Sequence, residues 1–223
     1  MIRSIDLNYI YVSTYLLVIF FSTLISFIIF YNMTKQKFDK IDIIYIFAIN
    51  ILGFALGSKI FYLLDTAQNF TIFNFTNGGF RFIGGILGSS LLVFLYCKKY
   101  KLNFFTMQSY FCIVYMLMYS INKWGCYLNG CCSCVYGIFP LQILESMLMF
   151  ILFICLYRLL KNKGSYYCIS MFLMLFGIIR FVVDYFRYAR DILLYNLTLS
   201  QLICIIFIII GVIMFIRKRK AIE

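Results

Sequence analysis

The sequence predicts an all-α integral membrane protein: a single polytopic domain over residues 1–223, folded as a seven-transmembrane-helix bundle with the amino terminus outside and the carboxyl terminus cytoplasmic. Three observations carry this. Hydrophobic residues make up 64% of the 223 and charged residues 13%, against about 45–50% and about 25% in soluble chains. So much apolar surface could not be hidden from water, which excludes a soluble single-domain enzyme. Apolar runs recur along the whole chain, most approaching the ~20 residues needed to cross a ~30 Å hydrocarbon core. Lysine and arginine alternate between strong and weak representation in successive connections.

The spans are expected at Val12–Tyr31, Ile41–Leu64, Phe82–Cys97, Phe104–Ile121, Gln142–Leu160, Tyr166–Phe186 and Ser200–Ile216. In lipid every backbone polar group must be satisfied within its segment, so these runs are helices. The first is too long for a signal peptide, and no small-residue cleavage site follows it. The third is short and opens at a glycine-rich stretch. No internal repeat, low-complexity segment or soluble domain interrupts the series.

Orientation follows from the basic residues of the short loops. Lys35, Lys37 and Lys40 follow the first span; Lys98, Lys99 and Lys101 the third; Arg158, Lys161 and Lys163 the fifth; Arg217, Lys218, Arg219 and Lys220 the last. These thirteen share one side, and Arg3, Arg81, Lys123, Arg187 and Arg190 share the other. The net charge of +12 is therefore mostly cytoplasmic anchoring against anionic membrane lipids, not a nucleic-acid surface. The chain has no histidine, which removes imidazole acid/base chemistry, histidine metal ligation and a Ser-His-Asp triad.

The informative charges lie inside or at the edge of the spans, where they are costly and face a bundle interior or a wet cavity. They are Lys59, Arg81, Lys123, Glu145, Arg180, Asp184 and Arg187. The topology puts all seven in the outer half of the membrane, and a cavity lined by them would be cationic. Arg180, Asp184 and Arg187 are spaced i, i+4, i+7 and share a helical face. Asp184 can steady one guanidinium while a planar fork stays available for phosphate or carboxylate. The bland alternatives are a self-neutralising ion pair, with Arg187 and Lys59 snorkelling to the interface.

Asn122–Gly137 is read as the turn between the fourth and fifth spans. It holds Cys126, Cys131, Cys132 and Cys134 on the outer side. Disulfides, a thiophilic metal, a reactive thiol and plain packing all fit such a cluster. Adjacent Cys131 and Cys132 are poor partners for each other, so the expected bridge joins Cys126 to Cys131 or Cys134. The cysteines at 97, 112, 155, 168 and 204 stand singly in spans and read as packing.

These motifs resemble the prolipoprotein diacylglyceryl transferase family, from about Gly57 to Gly211. Gly57-Ser58-Lys59-Ile60-Phe61-Tyr62 resembles its Gly-Ala-Arg-hydrophobic-Phe-Tyr stretch, and Gly78–Gly85 its Gly-Gly-x-x-Phe-His-Gly-Gly. Lys123–Gly130 resembles Arg-x-Gly-Asn-Phe-x-Asn-Gly, and Phe139–Glu145 resembles His-Pro-x-Gln-Leu-Tyr-Glu. Gly177, Arg180, Asp184 and Arg187 match Gly-x-x-Arg-x-x-x-Glu-x-x-Arg, and Ser200-Gln201 resembles the small-Gln pair that opens the last span.

The resemblance implies a multi-pass enzyme of the bacterial plasma (inner) membrane. It implies transfer of the diacylglyceryl group of phosphatidylglycerol to the lipobox cysteine of a prelipoprotein, with no cofactor and no metal. The residues it marks as catalytic are Arg180, Lys123, Glu145 and Asp184. Those it marks for substrate binding are Arg187, Asn129, Gln142, Arg81, Lys59 and Gly84. Arg180 and Lys123 would neutralise the phosphate as it leaves. Glu145 and Asp184 would orient the cations or assist thiol deprotonation. Asn129 and Gln142 would supply amide hydrogen bonds. The chain departs from the family where histidines are expected, with Ile83 and Phe139, and has Lys123 and Cys126 for the usual arginine and asparagine. The alternative expectation is a divergent, non-catalytic lipid-binding paralogue, or a transferase with a different acceptor.

Overall fold

The computed structural model describes residues 4–6, 11–66, 79–130, 140–187, 192–194 and 197–220. Cys131 and Cys134, the expected disulfide partners of Cys126, lie outside these residues, as does Cys132. Among the described residues, seven helices are long and apolar enough to cross a membrane: α1 Thr14–Thr34, α2 Lys40–Asp65, α3 Phe82–Lys99, α4 Phe104–Leu128, α5 Leu141–Lys163, α6 Ser165–Tyr185 and α7 Leu199–Lys220. The protein is an all-α seven-helix membrane protein, each helix overlapping one expected span. Large apolar side chains such as Leu16, Phe20, Leu91, Phe150 and Ile209 point outward, the reverse of a water-soluble surface and what a lipid solvent requires.

Backbone contacts divide into two compact units, Met1–Phe30 with Ser109–Glu223, and Tyr31–Gln108. In the second unit α2 and α3 cross on glycines. A Cβ on Gly88 would lie 2.5 Å from the Gly53 carbonyl and 2.7 Å from the Gly57 Cα, so only hydrogen at these positions allows the backbones so close. In the first unit α6 packs between α5 and α7. Ser170 donates to the Gly211 carbonyl at 2.7 Å, tying α6 to α7. Helices α5 and α6 are joined by Gly164 alone, at φ +86° and ψ −179°, a conformation essentially reserved for glycine.

Three features differ from the sequence expectation. The fourth helix does not stop at Ile121 but continues through Asn122-Lys123-Trp124-Gly125 to Leu128. Its polar residues are satisfied sideways: Ser22 donates to Asn122 Oδ1 at 2.8 Å, and Lys123 pairs with Glu145. Gly125 serves close approach rather than a turn, since a Cβ there would sit 3.1 Å from Tyr15 and Val18 of α1. The first helix begins at Thr14, because Tyr11–Ser13 (β2) pairs antiparallel with Ser4–Asp6 (β1). Finally, Ile192–Leu194 (β3) and Leu197–Thr198 (β4) form a second antiparallel pair before α7.

Candidate functional site

Three helix ends of the first unit build the site. In α4, Tyr119 and Lys123 are spaced i, i+4 and share a face. In α5, Pro140 stands at the N-cap position, and Gln142 and Glu145 follow in the first turns, both buried. Arg180 and Asp184 occupy the last turns of α6. Arg187 stands just past the end of that helix, its N–H still donating to the Asp184 carbonyl at 3.4 Å.

Glu145 is the hub, with a side chain only 1% exposed. Its Oε2 receives Lys123 Nζ at 2.7 Å and Arg187 Nη2 at 3.4 Å. Its Oε1 receives Arg180 Nη1 at 2.5 Å and the hydroxyl of Tyr119. Three cations thus converge on one buried carboxylate. Asp184 is the looser partner, its Oδ1 lying 3.8 Å from Arg180 Nη2 and 3.6 Å from Arg187 Nη1. Desolvating so many charges is repaid only when each is closely paired. With three cations and two carboxylates, the cluster keeps one formal positive charge uncompensated.

Asp184 is held from the other side. Thr198 donates its hydroxyl to Asp184 Oδ2 at 2.7 Å and opens α7 as its N-cap. The Thr198 N–H donates to Gln201 Oε1 at 3.0 Å, and the Gln201 N–H donates to Thr198 Oγ1 at 3.1 Å. This is a capping box that ties the start of α7 to the end of α6. One turn into the helices, Ser120 and Ser146 each donate to the other's carbonyl, at 3.0 and 2.9 Å. That exchange fixes the register of α4 against α5 where Tyr119 meets Glu145.

The remaining expected residues lie elsewhere. Asn129 accepts from Thr14 Oγ1 at 3.0 Å, joining the end of α4 to the start of α1. In the second unit, Arg81 Nε lies 2.6 Å from Asp65 Oδ2, and Lys59 Nζ sits 4.3 Å from the Phe80 ring centre. Gly84 is a packing position, crowded by Phe61 and the Gly57 carbonyl. Among the described residues no three Cys, Asp or Glu side chains gather as metal ligands.

Tyr119, Thr198 and Asp65 were not anticipated. Thr198-x-x-Gln201 had a legible signal, the capping-box spacing. Tyr119 had a weaker one, its place one turn before Lys123. Asp65 had none beyond ending an apolar run.

The family model for prolipoprotein diacylglyceryl transferase matches residues 3–217. Relatives bearing the name phosphatidylglycerol–prolipoprotein diacylglyceryl transferase include one from Finegoldia magna, 28% identical over 189 residues, covering 75% of each chain. One from Clostridium tetani is 27% identical over 208 residues, covering 81% of this chain and 82% of the relative. One from Clostridioides difficile is 29% identical over 197 residues, covering 80% and 79%. The motif order, the seven spans and the match over nearly the whole length agree: this chain belongs to the prolipoprotein diacylglyceryl transferase family and is a membrane transferase.

Proposed function

We propose that this chain transfers the diacylglyceryl group of phosphatidylglycerol to the lipobox cysteine thiol of a prelipoprotein, at the outer face of the bacterial plasma (inner) membrane. In this step the bond between the glyceryl carbon and the phosphate oxygen breaks. A carbon–sulfur bond forms, and glycerol phosphate leaves with the thiol proton. The supporting observation is the buried cluster in which Lys123, Arg180 and Arg187 outnumber Glu145 and Asp184. An uncompensated cation in a low-dielectric site favours an anionic headgroup and stabilises the charge that grows on the departing phosphate. The basic-loop bias supports the outward orientation of this end of the helices.

In this reading the roles divide. Arg180 and Lys123 face the phosphate charge. Both oxygens of Glu145 are already engaged, so Glu145 anchors the cations rather than accepting the thiol proton. Asp184 aligns the two arginines. Arg187 and Gln142 contact the headgroup, as does the amide N–H of Asn129. Lys59 and Arg81 meet anionic lipid on the second unit, where Gly84 keeps α3 against α2.

Complementation of a transferase-depleted strain tests the proposal. Rescue is expected, with thioether-linked diacylglycerol formed on a lipobox peptide by the purified protein. Arg180→Ala should abolish both. Absence of rescue and transfer despite membrane expression refutes the proposal. It would leave the second reading, a lipid-binding paralogue without turnover, which Ile83 and Phe139 at the family's histidine positions favour.

A further inference from the structure

Tyr119 has no part in the transfer roles given to the charged residues, yet it touches Glu145, Arg180 and Lys123. It is buried. Its hydroxyl donates to Glu145 Oε1 and accepts from Arg180 Nη1 at 2.7 Å. Its ring centre lies 5.2 Å from Lys123 Nζ and 5.8 Å from Arg180 Cζ, within cation–π reach of both. Phe176 packs edge-on against it at 6.4 Å, which limits tilting of the ring.

The consequence appears at Arg180. Its Nη1 is taken up by Tyr119 and Glu145. Nη2 lies 3.8 Å from Asp184 Oδ1, outside hydrogen-bond range. Nε is buried and has no hydrogen-bond partner among the described residues. Nε–H and one Nη2–H are the parallel donors of a guanidinium side edge, the geometry that matches two oxygens of one phosphate. With Asp184 only loosely engaged at 3.8 Å, a guanidinium whose one close carboxylate is Glu145 could pivot about that contact. The hydroxyl and the ring of Tyr119 supply the second and third constraints.

We propose that Tyr119 is a positioning residue for the transfer, tethering Arg180 Nη1 so that the Nε–Nη2 edge is presented to the lipid phosphate. This rests on the transfer reading, because it names the edge of Arg180 that reading uses. Tyr119 spends its own oxygen inside the cluster and acts through Arg180. It therefore governs the rate of the step more than the affinity for the lipid, since misorientation is felt most where charge develops.

The experiment is steady-state transfer to a lipobox peptide by the full chain, with phosphatidylglycerol as donor. Tyr119→Phe keeps the ring and removes the hydroxyl. The expected result is a kcat lower by about tenfold to a hundredfold, with KM for the lipid within about threefold and an unchanged melting midpoint. A kcat within about twofold of the parent, or a raised KM at unchanged kcat, overturns the proposal. Should Tyr119→Phe fail to fold, Tyr119→3-fluorotyrosine keeps shape and hydroxyl while weakening the acceptor; an intermediate kcat supports the proposal and an unchanged one overturns it. If the parent itself transfers nothing, the transfer reading fails, and Tyr119 is judged by nitrogen-15 arginine NMR with phosphatidylglycerol micelles. Separate Arg180 Nη signals that merge on loss of the hydroxyl support the tether, and an unaltered spectrum overturns it.

Discussion

The two units use charge in opposite ways. In the first, Glu145 of α5 gathers Lys123 from the end of α4 and Arg180 and Arg187 from the end of α6, and the Arg180 side chain is only 7% exposed. In the second, Arg81 pairs with Asp65, joining the start of α3 to the end of α2, and its side chain is 31% exposed. A partly exposed pair costs little to hold and joins two helix ends. A many-to-one cluster away from solvent is costly and brings like charges together. The Ser120–Ser146 exchange between α4 and α5 and the Tyr119–Phe176 contact between α4 and α6 hold it in register. The difference separates a pair that joins two helix ends from a cluster that concentrates like charges on one carboxylate. The second unit stabilises its helices by other means, close backbone approach at Gly53, Gly57 and Gly88.

The largest test of this contrast is Glu145→Gln. It leaves Lys123, Arg180 and Arg187 without their shared carboxylate, the first two of them buried, and should cost about 3–5 kcal/mol of stability, as removal of one partner of a buried ion pair does. Transfer should be lost with it, and melting in detergent together with peptide lipidation reads both. A melting midpoint equal to the parent's would mean that the cluster is not a coupled network.

In the second unit the comparable lesion is steric. Gly88→Ala places a methyl group against the Gly53 carbonyl and Gly57 Cα and should cost about 1–3 kcal/mol by overpacking. The fraction that remains folded should keep the parent's kcat, because no charge has been touched. Loss of kcat without loss of stability would contradict that separation.

Gly164→Ala follows, with a cost of about 1–3 kcal/mol from backbone strain alone, since open space surrounds the position. Thermal unfolding checks it, and a neutral substitution would show that α5 and α6 can be joined by another conformation. The smallest effect is expected for Asp65→Asn combined with Arg81→Gln. Removing both partners of a partly exposed pair should shift stability by no more than about 1 kcal/mol. A larger loss would move this pair into the same class as the Glu145 cluster.

What the sequence determined is the set of seven spans and the location of the informative charges. A membrane segment must satisfy its own backbone, so apolar length alone identifies a helix, and a charge inside that length identifies a constraint. The shared face of Arg180 and Asp184 was also legible, because helical periodicity is local. The capping box of Thr198 and Gln201 was there to be read as well. The tertiary structure decided which carboxylate holds which cation: Glu145 rather than Asp184 became the hub, with Tyr119 as its third arm. It also carried α4 through Asn122, Lys123 and Gly125, residues that resemble a turn when read alone. They remain helical because Ser22, Glu145 and the surface of α1 receive them. Pairings of this kind depend on the register between helices. That register is set by contacts such as Ser120 with Ser146, between residues 26 apart in the chain, and no local pattern encodes it.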